Sequence, residues 1–79
     1  MSQYPNRGNL GDELTPREVE CLQYASDGCT STEIGQKFDP VITRRTVEAH
    51  LLRAYNKLGA RNRIEAINKA KDAGLIKKA

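Results

Sequence analysis

The tetrapeptides "TPRE" at residues 15–18 and "TSTE" at residues 30–33 each put a threonine three residues ahead of a glutamate. At a helix start, that spacing lets the hydroxyl accept the glutamate's backbone N–H while the carboxylate accepts the threonine's own N–H. Two such boxes so close together dictate two short helices and leave little room for a strand. Pro16 falls at a first helical position, where its missing N–H costs nothing. Leu14 and Val19 flank the first cap as a hydrophobic staple, and Cys29 and Ile34 flank the second. Gly28 lies between the two units, where a helix stops in the left-handed conformation.

The same grammar continues downstream. Thr43 caps a third helix, with Ile42 and Val47 as its staple and Gly59 as its end. Val47, Leu51, Ala54 and Leu58 recur at helical spacing, so that side is core. A fourth helix starts after Asn62, with Glu65 at its third position and Ile64, Ala66, Ile67 and Ala70 along it. Gly74 stops it, and Leu75 is the apolar residue expected after a Schellman end. In the first helix Val19, Leu22 and Ala25 form the inward stripe. In the second, Ile34 and Phe38 point inward until "DPVI" interrupts, since Pro40 cannot continue a helix. No segment alternates with a period of two, so no sheet is expected. The fold class is all-α: a four-helix bundle with helices at about 16–27, 31–38, 44–58 and 63–73.

A chain of 79 residues allows one small domain. The segment "MSQYPNRGNLGDE" is aperiodic, which marks residues 1–13 as a flexible arm or linker. Residues 14–76 form the domain and 77–79 a tail. An ordered part of about 60 residues is close to the lower size limit for independent folding. The net charge of +3 is unevenly placed. Residues 1–29 carry −3, whereas residues 57–79 carry seven basic side chains against Glu65 and Asp72. A basic second half suits a polyanion. Cys21 and Cys29 are roughly 12 Å apart at helical rise, too far for a disulfide, and with no second pair or nearby histidine they complete no zinc site. They read as reduced thiols of a cytoplasmic protein. The sequence has no signal peptide or membrane-length apolar run. It has no nucleophile–base set or paired carboxylates, so no catalytic residues, metal or cofactor are expected.

The second and third helices, joined by a four-residue turn, have the spacing of a helix-turn-helix, whose second helix lies in the DNA major groove. Opposite the core stripe, at 100° per residue, the third helix presents Arg45, Ala49, Leu52, Arg53 and Asn56. Arginine and asparagine suit base edges and phosphates, and an exposed leucine can meet a thymine methyl. The first turns of the two helices carry Thr30, Ser31, Thr32, Thr43, Arg44, Arg45 and Thr46. Their hydroxyls and free N–H groups suit phosphate oxygens, beyond the capping that Thr30 and Thr43 perform. Lys57 lies near the end of the third helix, where it also complements the helix dipole. Glu48 sits within reach of both Arg44 and Arg45. It can orient an arginine fork, accept from cytosine N4 and repel wrong sequences, or it can serve only as an intrahelical ion pair.

Taken together, "LTPREVECL", "DGCTSTEIGQKF", "RRTVEAHLLRAYNKLGARNRIEAI" and "AGLI" resemble the LuxR/GerE-type DNA-binding domain over residues 14–76. The resemblance implies a bacterial transcription regulator that binds double-stranded DNA, with the fourth helix as the homodimer contact through Ile64, Ile67, Asn68 and Lys71. It implies RNA polymerase as a further partner and no membrane. Carried over, base reading falls on Glu48, Ala49 and Leu52, and phosphate contact on Thr43, Arg44, Arg45, Thr46, Lys57 and Thr30 to Thr32. Some members have lysines where Glu48 and Leu52 stand, so their base contacts do not transfer: either the target sequence differs, or Arg45, Arg53 and Asn56 carry more of the reading. The turn "FDPVIT" is two residues longer than usual, which bears on how the third helix docks. His50 corresponds to a family histidine that mostly packs and hydrogen-bonds beside the backbone. Two other readings compete. Region 4 of bacterial sigma factors has a similar "LTPRE…TVE…R…KL" pattern but lacks the fourth helix "NRIEAINKAKDAGLI". A protein-interaction module that has lost DNA binding would use Leu52 as its anchor.

Overall fold

In the computed structural model, residues 14–77 are described. The arm expected over residues 1–13, and residues 78–79 of the tail, lie outside them. Four helices follow in order: α1 Pro16–Ser26, α2 Ser31–Gln36, α3 Arg44–Leu58 and α4 Arg63–Asp72. The described residues contain no strand, so the architecture is the all-α bundle read from the sequence.

Each helix begins where its cap requires. Thr15 Oγ1 accepts the Glu18 N–H at 3.2 Å, and Glu18 Oε1 accepts the Thr15 N–H at 3.0 Å. Thr30 and Glu33 repeat both bonds at 3.2 and 2.8 Å. Thr43 Oγ1 accepts the Thr46 N–H, and Asn62 Oδ1 accepts the Glu65 N–H. Glu65 itself reaches one residue further back, accepting the Arg61 N–H at 2.7 Å, which holds its carboxyl below the ordinary value. The ends are equally regular. The Cys29 N–H bonds to the Tyr24 carbonyl and the Gly28 N–H to the Ala25 carbonyl, the paired bonds of a Schellman stop. Gly28 has φ +94°, a conformation open to glycine and costly for a residue with Cβ. Ala60 and Leu75 close the same kind of stop after α3 and α4.

The core gathers Leu14, Cys21, Leu22, Ala25, Ile34, Phe38, Val47, Leu51, Ala54, Leu58, Ala66, Ala70 and Ile76. The α3 stripe expected from periodicity is buried in full. In α1 the stripe is rotated from the expected one. Val19 is only half-buried, while Glu18, Cys21, Leu22 and Ala25 point inward. The glutamate is tolerated there because the structure supplies it with a cation. Burial pushes the Cys21 thiol up to about 11, so it stays a protonated core residue at neutral pH.

The second helix is shorter than the 31–38 expected. It ends at Gln36, and residues 37–43 form the connection in place of a four-residue turn. The cause is local. The Phe38 N–H turns back to the Gly35 carbonyl, and the Ile42 N–H bonds to the same oxygen at 3.1 Å. Phe38 stays buried outside the helix, edge-on to Tyr24 with ring centroids 6.1 Å apart and the Arg17 guanidinium over its face. The fourth helix stops one residue before the expected Ala73, which serves as its cap. No helix among the described residues is long and apolar enough to cross a membrane.

Candidate nucleic-acid interface

What the bundle presents to solvent follows from what holds α3. One side of that helix is buried by α1, α2 and α4 through Val47, Leu51, Ala54 and Leu58. Two devices fix its ends. At the start, Gly35 of α2 lies so close to the segment entering α3 that an added Cβ would overlap the Ile42 carbonyl oxygen. At the far end, Lys57 Nζ donates to Glu18 Oε1 at 2.9 Å. Glu18 is 1% exposed. Burial raises its pKa, but the Lys57 hydrogen bond, the Thr15 N–H and the Lys57 charge outweigh that and hold it below the ordinary carboxylate value. The same carboxylate oxygen therefore caps α1 and anchors the last turn of α3. Lys69 adds a bond from α4 to the Gly59 carbonyl at 2.9 Å.

So fixed, α3 leaves Arg45, Glu48, Leu52, Arg53 and Asn56 exposed, with Ala49 half-buried among them. Leu52 is 59% exposed. Glu48 Oε2 lies 3.8 Å from Arg44 Nε, one turn earlier. An exposed pair at that distance adds a few tenths of a kcal/mol, but it turns the carboxylate toward the helix start. At the helix starts, Thr30, Thr32, Thr43, Arg44 and Thr46 are exposed and Ser31 is half-buried. Thr30 and Thr43 spend one lone pair on capping, and the Thr43 hydroxyl donates to Thr46 Oγ1 at 3.1 Å. Lys57, by contrast, is half-buried and already committed to Glu18, a partner thirty-nine positions away that helical spacing could not reveal. His50 is half-buried, and its Nδ1 meets no hydrogen-bond partner among the described residues.

Of the residues read as a dimer contact, Ile64 is 72% exposed and Asn68 is exposed, whereas Ile67 and Lys71 are half-buried. The inward side of α4 is made by Ala66 and Ala70. Sequence reasoning missed three features. Gly35 was not singled out, yet it marks a close backbone approach. Val41, 66% exposed in the connection before α3, was not singled out. Arg63, at the start of α4, faces a groove of about 390 Å³ lined by Ser31, Glu48, Leu51, Leu52 and Tyr55. Among the described residues no three His, Cys, Asp or Glu side chains gather to hold a metal ion.

Residues 12–70 match the family model described as bacterial regulatory proteins, luxR family. The chain is 48% identical over 66 residues to the HTH-type quorum sensing-dependent transcriptional regulator RpaR of Rhodopseudomonas palustris, covering 84% of this chain and 26% of that protein. It is 45% identical over 65 residues to the transcriptional activator protein AhyR of Aeromonas hydrophila, covering 82% and 24%. With the transcriptional activator protein VanR of Vibrio anguillarum it shares 44% over 63 residues, covering 80% and 25%. The chain thus spans about a quarter of the length of the curated relatives it matches. No solved structure matches it.

Proposed function

Given that the chain belongs to the luxR family of bacterial regulatory proteins, we propose that it binds double-stranded DNA selectively, as the DNA-reading part of a transcription regulator. The carrying observation is the uncovered face of α3. A helix buried along one whole side presents two arginines, an asparagine and a bare leucine on the other. In this reading α3 enters the major groove. Arg45, Arg53 and Asn56 read base edges, Leu52 and Ala49 meet a thymine methyl, and Glu48 accepts from cytosine or rejects poorly matched sites. Thr30, Ser31, Thr32, Thr43, Arg44 and Thr46 hold phosphates. Lys57 acts first as the counter-charge of Glu18 and contacts phosphate only with its remaining donors. The protein works in the cytoplasm, without catalysis, with RNA polymerase as a further partner.

The exposed Ile64 and Asn68 support pairing of two chains through α4 on DNA. Loss of the Arg45 side chain is expected to weaken binding to a duplex selected from a random pool by about 1–3 kcal/mol, the scale of one base contact. Fluorescence anisotropy of Arg45→Ala against the parent reads this directly, and equal affinities would remove Arg45 from base reading. The stoichiometry of the same titration on a palindromic site tests pairing. Two chains per duplex are expected, and a single chain at saturation contradicts it. The exposed Leu52, Val41 and Ile64 favour a second reading, a protein-docking module, in which Leu52→Asp abolishes function and Arg45→Ala does not.

A further inference from the structure

We infer that Arg63 is an additional phosphate-holding residue, placing part of the DNA-backbone grip on the first turn of α4; this rests on the DNA-binding reading above. The argument begins with a residue in an unfavourable place. A cation in the first turn of a helix opposes the helix dipole, and Arg63 is the first residue of α4. Its side chain is not left to solvent. It is half-buried, and Nη1 donates to the Cys29 carbonyl at 3.5 Å. That long bond ties the guanidinium across to the loop before α2 and leaves its other donors free.

The groove it lines decides the direction. Ser31, Glu48, Leu52 and Tyr55 form the other walls. Glu48 and Leu52 belong to the exposed face of α3, so Arg63 borders that face on the α4 flank. Glu48 is the acid on those walls, and its Oε2 is oriented toward Arg44. Arg63 forms no ion pair among the described residues. A half-buried, pre-positioned guanidinium without a counter-ion, beside a helix face built for DNA, is complementary to a phosphate diester oxygen. A planar fork binds such an oxygen with little loss of freedom. This also offsets a feature of α3 itself: positions 48 and 52 carry a carboxylate and a leucine instead of cations, so backbone affinity has to come from elsewhere.

Binding of a mixed-sequence duplex across a salt series tests this. Each phosphate neutralised contributes about 0.9 to the log–log salt slope. Arg63→Gln is expected to flatten the slope by about 0.9 and to weaken binding at low salt by about tenfold. Arg63→Lys is expected to keep the parent slope. If both variants weaken binding at the parent slope, Arg63 acts only through the Cys29 carbonyl and the inference fails. An unchanged slope and affinity in Arg63→Gln also overturns it, while the DNA-binding reading survives. A parent chain that does not bind the duplex removes both. Should Arg63→Gln fail to fold, the Arg63 Nε–Hε resonance of the parent decides: movement on adding duplex at low salt supports the contact, and indifference overturns it.

Discussion

Gly35→Ala is expected to lower the unfolding free energy by about 3 kcal/mol, the upper part of the range for overpacking a closed site. On helix propensity alone the change should stabilise, because alanine is favoured over glycine by about 1 kcal/mol in a helix interior. The geometry reverses that sign. A methyl group at Gly35 would overlap the Ile42 carbonyl oxygen and press on its carbon. The obstacle is backbone, not the flexible end of a side chain. The same peptide also receives the Ile42 N–H at the Gly35 carbonyl, so relief by separation breaks a hydrogen bond. For a domain of this size, such a loss is a large fraction of total stability. Urea denaturation followed by circular dichroism gives the number. A variant as stable as the parent, or more so, would show that the approach of α2 to the α3 entry is not close.

The second large effect concerns Glu18 and Lys57. Lys57→Met is expected to cost about 2–3 kcal/mol at neutral pH, somewhat below the value for a fully buried pair because Lys57 is partly exposed. It leaves a carboxylate that is nearly inaccessible to water without its counter-charge. The pH dependence identifies the cause. In the parent, the folded pKa of Glu18 is depressed below the ordinary value of 4.5. Its contribution is therefore present above that value and lost as pH falls through the folded pKa. In Lys57→Met, burial is left as the leading influence and raises the folded pKa. The variant then regains stability as pH falls and the carboxyl takes up a proton. The gap between the two proteins should narrow between about pH 7 and pH 4. A gap that stays constant across that window would mean that Lys57 contributes packing alone.

Helix starts were legible in the sequence because they are local chemistry. Thr15, Thr30, Thr43 and Asn62 cap as their spacing to the following N–H requires. The α3 stripe was legible because 3.6-residue periodicity leaves one solution for Val47, Leu51, Ala54 and Leu58. The end of α2 was not. It is set by the Ile42 N–H reaching back to Gly35, a tertiary bond that leaves no mark in local propensity. The inward turn of Glu18 was hidden for the same reason: a capping glutamate is normally solvated, and only the fold brings Lys57 to it. In the interface, the residues of α3 could be chosen by helical geometry, which fixes which side is free once the core side is known. Arg63 could not be chosen that way, because its relation to α3 depends on how α4 packs. A basic residue at a helix start was the available signal, since the dipole disfavours it there.

The central claim is that this face of α3 docks on DNA. The most direct measurement follows the backbone amide resonances of the labelled chain during titration with a mixed-sequence duplex at low and moderate salt. Shifts concentrated at residues 30–32 and 43–57, weakening as salt rises, are the predicted result. A spectrum that does not respond to the duplex even at low salt would contradict it, and would mean that Glu48 and the longer connection before α3 have removed DNA binding from the fold.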